Sequence, residues 1–178
     1  MANRLFLMVG IPASGKSTFA KKYLNEDGVY LSRDEERFSM VKENENYFAK
    51  EPIVFGSWIG KIAWSLRAGF DVWADATHVN EKSRSKTFNE LRKHGIDLNK
   101  IEVIAVFVDT PFQECVRRNE ERQGRTKVPA AAMRDMVNRL KKPDVSEKYI
   151  DTVYIVRPNE PIYLEGKRIT IERAEDNE

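Results

Sequence analysis

Cysteine is nearly missing from this chain: Cys115 stands alone, so no disulfide can form within it. That excludes a stapled secreted scaffold and fits a reducing compartment, the cytoplasm. Cys115 falls in a helical stretch and reads as a small packing residue. Long apolar runs are missing too. The run Leu5 to Val9 falls far short of the roughly 20 residues that span a bilayer, and no charged-then-apolar leader precedes it. A soluble, intracellular protein without a membrane partner is expected. Charge of one sign is also not in excess, since 30 Lys and Arg against 28 Asp and Glu leave a net charge of +2. Such a balance permits a nucleic-acid partner without guaranteeing a broad positive field. Repeats and low-complexity tracts are absent. What remains is 178 residues, 41% apolar and 33% charged, enough for one domain with a real core and a highly charged surface.

Apolar and amphipathic segments alternate, the pattern of a parallel sheet covered on both faces. Strands are expected at 5–9, 29–31, 70–75, 101–109 and 153–156. Helices are expected at 17–24, 33–41, 53–66 and 80–94, then from Thr110-Pro111 to a break at Gln123-Gly124-Arg125, and from Val128-Pro129 to Leu140. Phe55, Trp58, Ile59, Ile62 and Leu66 recur at helical spacing with Gly69 as the stop. Within that helix, Gly56 and Gly60 read as a point of close packing. Residues 161–172 alternate around Glu165-Gly166-Lys167 and read as a terminal hairpin. The expected fold class is α/β: a parallel five-stranded sheet flanked by helices, with a C-terminal β-hairpin. It is expected as one domain, with its core in 1–158 and the hairpin and tail in 159–178.

The densest signal lies at Gly10-Ile11-Pro12-Ala13-Ser14-Gly15-Lys16-Ser17, followed by Thr18. This is G-x-x-x-x-G-K-[ST] between a buried strand and a helix start. Gly10 and Gly15 let the backbone curl so that its N–H groups face phosphate oxygens. Lys16 brings a positive charge to the β and γ phosphates, Ser17 offers a hydroxyl to Mg²⁺, and the helix N-terminus adds its dipole. ATP and Mg²⁺ are therefore the expected ligands, and the five-stranded sheet with this loop after its first strand is expected to be a P-loop NTPase kinase fold.

Ligands in open α/β sheets bind at the carboxyl ends of strands. The second strand ends in Ser32-Arg33-Asp34-Glu35-Glu36-Arg37, where a carboxylate either faces the γ-phosphate or merely makes an acidic first helical turn. The third ends in Asp75-Ala76-Thr77-His78. Asp75 is a candidate carboxylate beside the metal or nucleotide, or a helix cap; His78 bonds either substrate or backbone. The basic stretch Arg117 to Lys127 carries Arg118 and Arg122 four apart, on one helix face. It suits a lid whose cations close over the transferring phosphate, or a solvated helix end.

Taken together, Gly10–Thr18, Ser-Arg-Asp-x-x-Arg (32–37), Asp-Ala-Thr-His-x-Asn (75–80) and Arg-Asn-x-x-Arg-x-Gly-x-x-x-Val-Pro (118–129) resemble the kinase domain of phage and bacterial polynucleotide 5′-hydroxyl kinases. The resemblance implies Asp34 as the base that deprotonates a 5′-OH and Arg37 as the contact to the acceptor's 3′-phosphate. It implies Arg122 as the lid cation and Arg118 as a supporting nucleotide contact, with Asp75, Thr77 and His78 on the acceptor side. The chain departs from the phage pattern at Ala76 and His78. It holds no Asp-x-Asp-x-Thr phosphatase nucleophile, so the expectation is a kinase acting on DNA or RNA ends. A small-molecule kinase for a nucleoside, sugar or antibiotic hydroxyl is the alternative. A nucleotide switch is disfavoured because no Asp-x-x-Gly follows a strand and no Asn-Lys-x-Asp reader exists.

Overall fold

The computed structural model describes residues 3–167. Strands β1 (Arg4–Val9), β2 (Gly28–Ser32), β3 (Asp71–Asp75), β4 (Glu102–Val108), β5 (Thr152–Val156) and β6 (Tyr163–Lys167) form one sheet in the order β2-β3-β1-β4-β5-β6. The first five run parallel and β6 runs antiparallel to β5. The helices are α1 (Lys16–Tyr23), α2 (Arg33–Met40), α3 (Glu51–Arg67), α4 (Glu81–Lys93), α5 (Phe112–Glu120) and α6 (Ala130–Arg139). No helix among the described residues is long and apolar enough to cross a membrane.

Strand alternation sorts the core into two faces. Leu5 and Leu7 of β1 point, with Val72, Ala74, Val103 and Ala105, toward Trp58, Ile59 and Ile62 of α3 and Phe88 and Leu91 of α4. Phe6 and Met8 point the other way, with Trp73 and Val106, toward Ala20 of α1. There Phe6 stacks on Trp73 at 4.0 Å between ring centres. A further cluster joins Ile11 to Cys115 of α5 and Met133 of α6, and the lone thiol is a fully buried packing group. Asn80 starts α4 through a capping box with Ser83, and Ser32 caps α2 by accepting from Glu35 N at 3.2 Å.

Three expectations are corrected. Glu165-Gly166-Lys167 is not a hairpin turn but lies inside β6, and the antiparallel hairpin is β5 with β6. The second arm of the expected hairpin lies outside the described residues. Gly56 and Gly60 do not mark close packing, because a methyl group at either would meet nothing within 4 Å; they lie on the outer face of α3, near the exposed Ile53 and Trp64. His78 is no acceptor contact. It is only 4% exposed, its Nδ1 lies 2.8 Å from the Met8 carbonyl and its Nε2 lies 3.1 Å from Thr87 Oγ1. A neutral ring satisfies both partners, with Nδ1–H donating to Met8 O and Nε2 accepting from the Thr87 hydroxyl. The turn after β3 is thereby tied to β1 and α4. Arg84, fully buried, reinforces it by pairing with Glu147 through both carboxylate oxygens and donating to the His78 carbonyl.

Burial holds the His78 imidazole down to about 3, below its ordinary 6.5. The unfolded chain therefore binds a proton that the folded chain refuses across that window. Stability from this group is full above pH 6.5 and falls by about 1.4 kcal/mol per pH unit on acidification toward pH 3. Because His78 has φ of 44°, in a region Asn tolerates, His78→Asn keeps a donor for Met8 O while removing the titration. Urea unfolding at pH 7 and pH 5 is expected to show a smaller acid loss in that variant than in the wild type; equal losses would refute the assignment.

Candidate active site

The loop after β1 is shaped for anions before any ligand arrives. Gly15, with φ of 100°, and Ala13, with φ of 63°, take left-handed backbone. For Ala13 that conformation carries strain of a kind that collects at functional sites. Gly10 is required by space: a Cβ there would lie 2.8 Å from Ser14 Oγ and 3.0 Å from the Val108 carbonyl. Other strand ends pin the loop, with Gly10 N donating to Thr77 O at 3.0 Å and Thr110 Oγ1 to Ser14 O at 2.7 Å. Ile11 is buried and Pro12 half-buried on the same loop. No side chain caps the first turn of α1, and the buried Ser14 hydroxyl has no protein partner, so polar groups in the cradle are left for a ligand. Nucleotide phosphates fit these donors. Among the described residues no cluster of His, Cys, Asp or Glu makes a metal site. A divalent ion would be held by the half-buried Ser17 hydroxyl together with phosphate oxygens. Thr18 follows, exposed on α1.

Lys16 is 8% exposed and its ammonium donates to the Ile11 carbonyl at 2.9 Å. Burial lowers its pKa, while the charges of Asp75 and Asp34 act in opposition. Both acids expected at strand ends thus act on the phosphate-loop lysine. Asp75 pairs in register with Ser32 and accepts from the Tyr30 hydroxyl at 2.5 Å. Burial raises its pKa against the pull of Lys16.

Asp34 opens α2, with its side chain 64% exposed. Its Oδ1 accepts from Arg37 Nη1 at 2.5 Å and from the Tyr47 hydroxyl at 2.8 Å. Burial pushes Tyr47 up to about 12, so its hydroxyl stays a donor. Arg37, expected on the acceptor's phosphate, is instead 5% exposed. Its Nε and Nη2 bond Glu51 Oε2 at 3.2 and 2.6 Å, and its Nη1 also lies 3.0 Å from the Tyr47 hydroxyl. Glu51, at the start of α3, takes Arg33 on its other oxygen. In this arrangement Arg37 orients Asp34 and is itself held by Glu51. Sequence reasoning missed Tyr30, Tyr47 and Glu51. The one available signal was Tyr47-Phe48, an aromatic pair inside the polar stretch 42–50.

On the basic side, Arg118 leans on the cradle. Its Nη1 lies 3.3 Å from Ser14 O, and its Nε is held by Glu114 at 2.8 Å. Arg122 donates to Thr126 O at 3.3 Å, and its charge acts on Lys16. The segment 121–129 is pinned at two points. Asn119 exchanges hydrogen bonds with the backbone of Val128 at 2.8 and 2.9 Å. Arg125, another residue missed from sequence, lies over the Phe38 ring at 4.5 Å and donates to the carbonyls of Phe38 and Val41. It thereby closes the C-terminal end of α2, the helix that carries Asp34 and Arg37. Arg125→Ala is expected to speed amide hydrogen exchange in both 121–129 and the last turn of α2 by roughly tenfold or more. Faster exchange in only one of them would show that the segment 121–129 and α2 are not coupled through this side chain.

A family model for the AAA domain matches residues 5–143. No curated protein matches the chain. Among solved structures, the chain is similar to one in the Pnkp1/Rnl/Hen1 RNA repair complex, at 23% identity and a TM-score of 0.65, over 78% of this chain and 44% of that one. It thus spans less than half the length of that protein. It is also similar to Chaetomium thermophilum Kti12 in complex with ADP-AlF3, at 14% identity and a TM-score of 0.61, over 88% and 90% of the two chains. A third likeness is to the Mycobacterium tuberculosis APS kinase CysC in complex with AMPPNP and APS, at 17% identity and a TM-score of 0.53, over 90% and 91%. At these identities the likeness is one of fold, the helix-flanked parallel sheet of P-loop kinases. Since the family match runs from β1 through the phosphate loop, both acidic strand ends and the basic segment 117–127 to beyond α6, the chain belongs to the AAA domain family.

Proposed function

We propose that this domain is an ATP-dependent phosphotransferase that moves the γ-phosphate of ATP to the 5′-hydroxyl end of DNA or RNA, with residues 1–158 as its catalytic core. The observation that carries the reading is the placement of Asp34. Its carboxylate is fixed through Oδ1 by Arg37 and Tyr47, and its charge acts on Lys16 in the phosphate cradle. Likeness to a chain of an RNA repair complex supports the nucleic-acid acceptor.

In this reading the phosphate-loop backbone and Lys16 hold the β and γ phosphates in line with the acceptor. Asp34 takes the proton of the attacking hydroxyl as the new O–P bond forms and the β–γ bridge bond breaks, so that ADP leaves with the electron pair. Arg122 and Arg118 face the charge on the transferring group from the lid side. Mg²⁺, held by Ser17, would screen the phosphates. Asp75, tied to Tyr30, sets the field around Lys16. Thr77 contributes its carbonyl to the loop, and its hydroxyl is assigned to the acceptor side. A small-molecule alcohol acceptor is the second reading, favoured by one observation: the guanidinium nitrogens of Arg37 are engaged by Glu51, Asp34 and Tyr47, which leaves it poorly placed to meet a 3′-phosphate.

Transfer of labelled phosphate from ATP to 5′-OH oligonucleotides, free nucleosides and sugars tests the choice. Label is expected on the oligonucleotides, and labelling of small alcohols alone would overturn the nucleic-acid acceptor. Asp34→Asn is expected to lower kcat about 100- to 10,000-fold, with the KM for ATP little changed. Undiminished transfer by that variant would remove Asp34 as the base.

A further inference from the structure

Phe48 is one of the most exposed large apolar side chains described, at 62%, yet its backbone is firmly mounted. Its N–H donates to Asn46 Oδ1 at 2.9 Å, and its carbonyl accepts from Glu51 N at 3.1 Å, next to the first turn of α3. An aromatic ring left in water on an anchored backbone offers a flat apolar surface to a planar partner. Its neighbours say where that surface lies. The Phe48 and Tyr47 ring centres are 4.8 Å apart at 84°, an edge-on contact and not a stack, and the exposure of Phe48 leaves its ring open to a further partner. Tyr47 is the residue whose hydroxyl holds Asp34, and Arg37, the other residue that holds it, has its Cζ 5.8 Å from the Phe48 ring centre. Phe48 therefore neighbours both residues that hold the carboxylate that would receive the acceptor's proton.

We infer that Phe48 is the stacking platform for the nucleobase of the acceptor's terminal nucleotide, and so sets the substrate class of the site. This rests on the acceptor reading above and goes further, since it assigns the recognition of a planar base to one side chain. A nucleotide with its 5′ oxygen at Asp34 has its base one sugar away, within reach of this ring. A free sugar or another small alcohol has no flat group to place there. Stacking of a base on an aromatic ring is tolerant of sequence, because every base has a π face. Ends of differing sequence would accordingly be accepted.

Two 5′-OH trinucleotides, one complete and one abasic at its 5′ residue, separate the possibilities when labelled phosphate transfer is measured for the wild type, Phe48→Ala and Phe48→Trp. The wild type is expected to favour the complete acceptor about 5- to 150-fold in kcat/KM. That ratio collapses toward one in Phe48→Ala and is retained in Phe48→Trp. A wild-type ratio near one, or a ratio unchanged in Phe48→Ala, overturns the platform while leaving the kinase reading intact. A purely structural role for Phe48 would alter both acceptors alike, and would overturn it too. If the wild type phosphorylates neither trinucleotide but does label a small alcohol, the nucleic-acid acceptor falls first and the platform with it.

Discussion

The site depends on one constraint: adjacent parallel strands must end together, so that their carboxyl ends form a single edge. In the order β2-β3-β1-β4, the first strand supplies Asp34, the second Asp75, the third the phosphate loop and the fourth the carbonyl of Val108. That carbonyl, with Ser14 Oγ, leaves no room for a side chain at Gly10. Register transmits the alignment, since Ser32 lies opposite Asp75 and Val9 opposite Phe107. Hydrogen bonds from Gly10 N to Thr77 O and from Thr110 to Ser14 O then lock the cradle to the segments that follow β3 and β4. A loop that must hold left-handed backbone at Ala13 needs such overdetermination.

A second layer of organisation surrounds Asp34. Its carboxylate is exposed, but the groups that hold it are not: Arg37 is buried and tied to Glu51 at the start of α3. Burying a guanidinium is expensive, and such pairs add little net stability over apolar packing. The gain here is position. Arg37 fixes one oxygen of Asp34, Glu51 fixes Arg37 together with Arg33, and Arg125 closes the far end of the same helix from the lid. Arg125 thereby ties the segment 121–129 to the helix that carries Asp34 and Arg37. The segment that carries the proposed lid cation and the helix that carries the proposed base are joined by this contact, although about 90 residues of chain separate Asp34 from Arg122 and Arg125.

Much of the fold was legible in the residue pattern, because the period of apolar positions separates strand from helix locally. The five parallel strands and the main helices were expected close to where they lie, and the phosphate loop could be read from types and spacing alone. Side-chain roles were less legible. His78 carries the chemistry of a substrate contact, yet it serves as a tether inside the core. Its partners, Met8 O and Thr87, are 70 and 9 residues away, and only folding brings them together. Gly56 and Gly60 have the spacing of a packed face but lie toward solvent, since helical periodicity shows which residues share a face and not which face is covered.

By itself, the sequence determined a helix-flanked parallel sheet and an anion cradle after its first strand. Both follow from interactions among near neighbours in the chain: alternating burial, glycines where the backbone must curl, and a helix start for phosphate. Only the tertiary structure decided that Arg37 is engaged by Glu51, that Tyr47 holds the proposed base with Phe48 standing in water beside it, and that Arg125 joins lid to helix. Apart from the neighbouring rings of Tyr47 and Phe48, these contacts join residues 13 to 87 positions apart. Their geometry is set by how α2, α3 and the lid pack around the sheet edge, which no local pattern encodes.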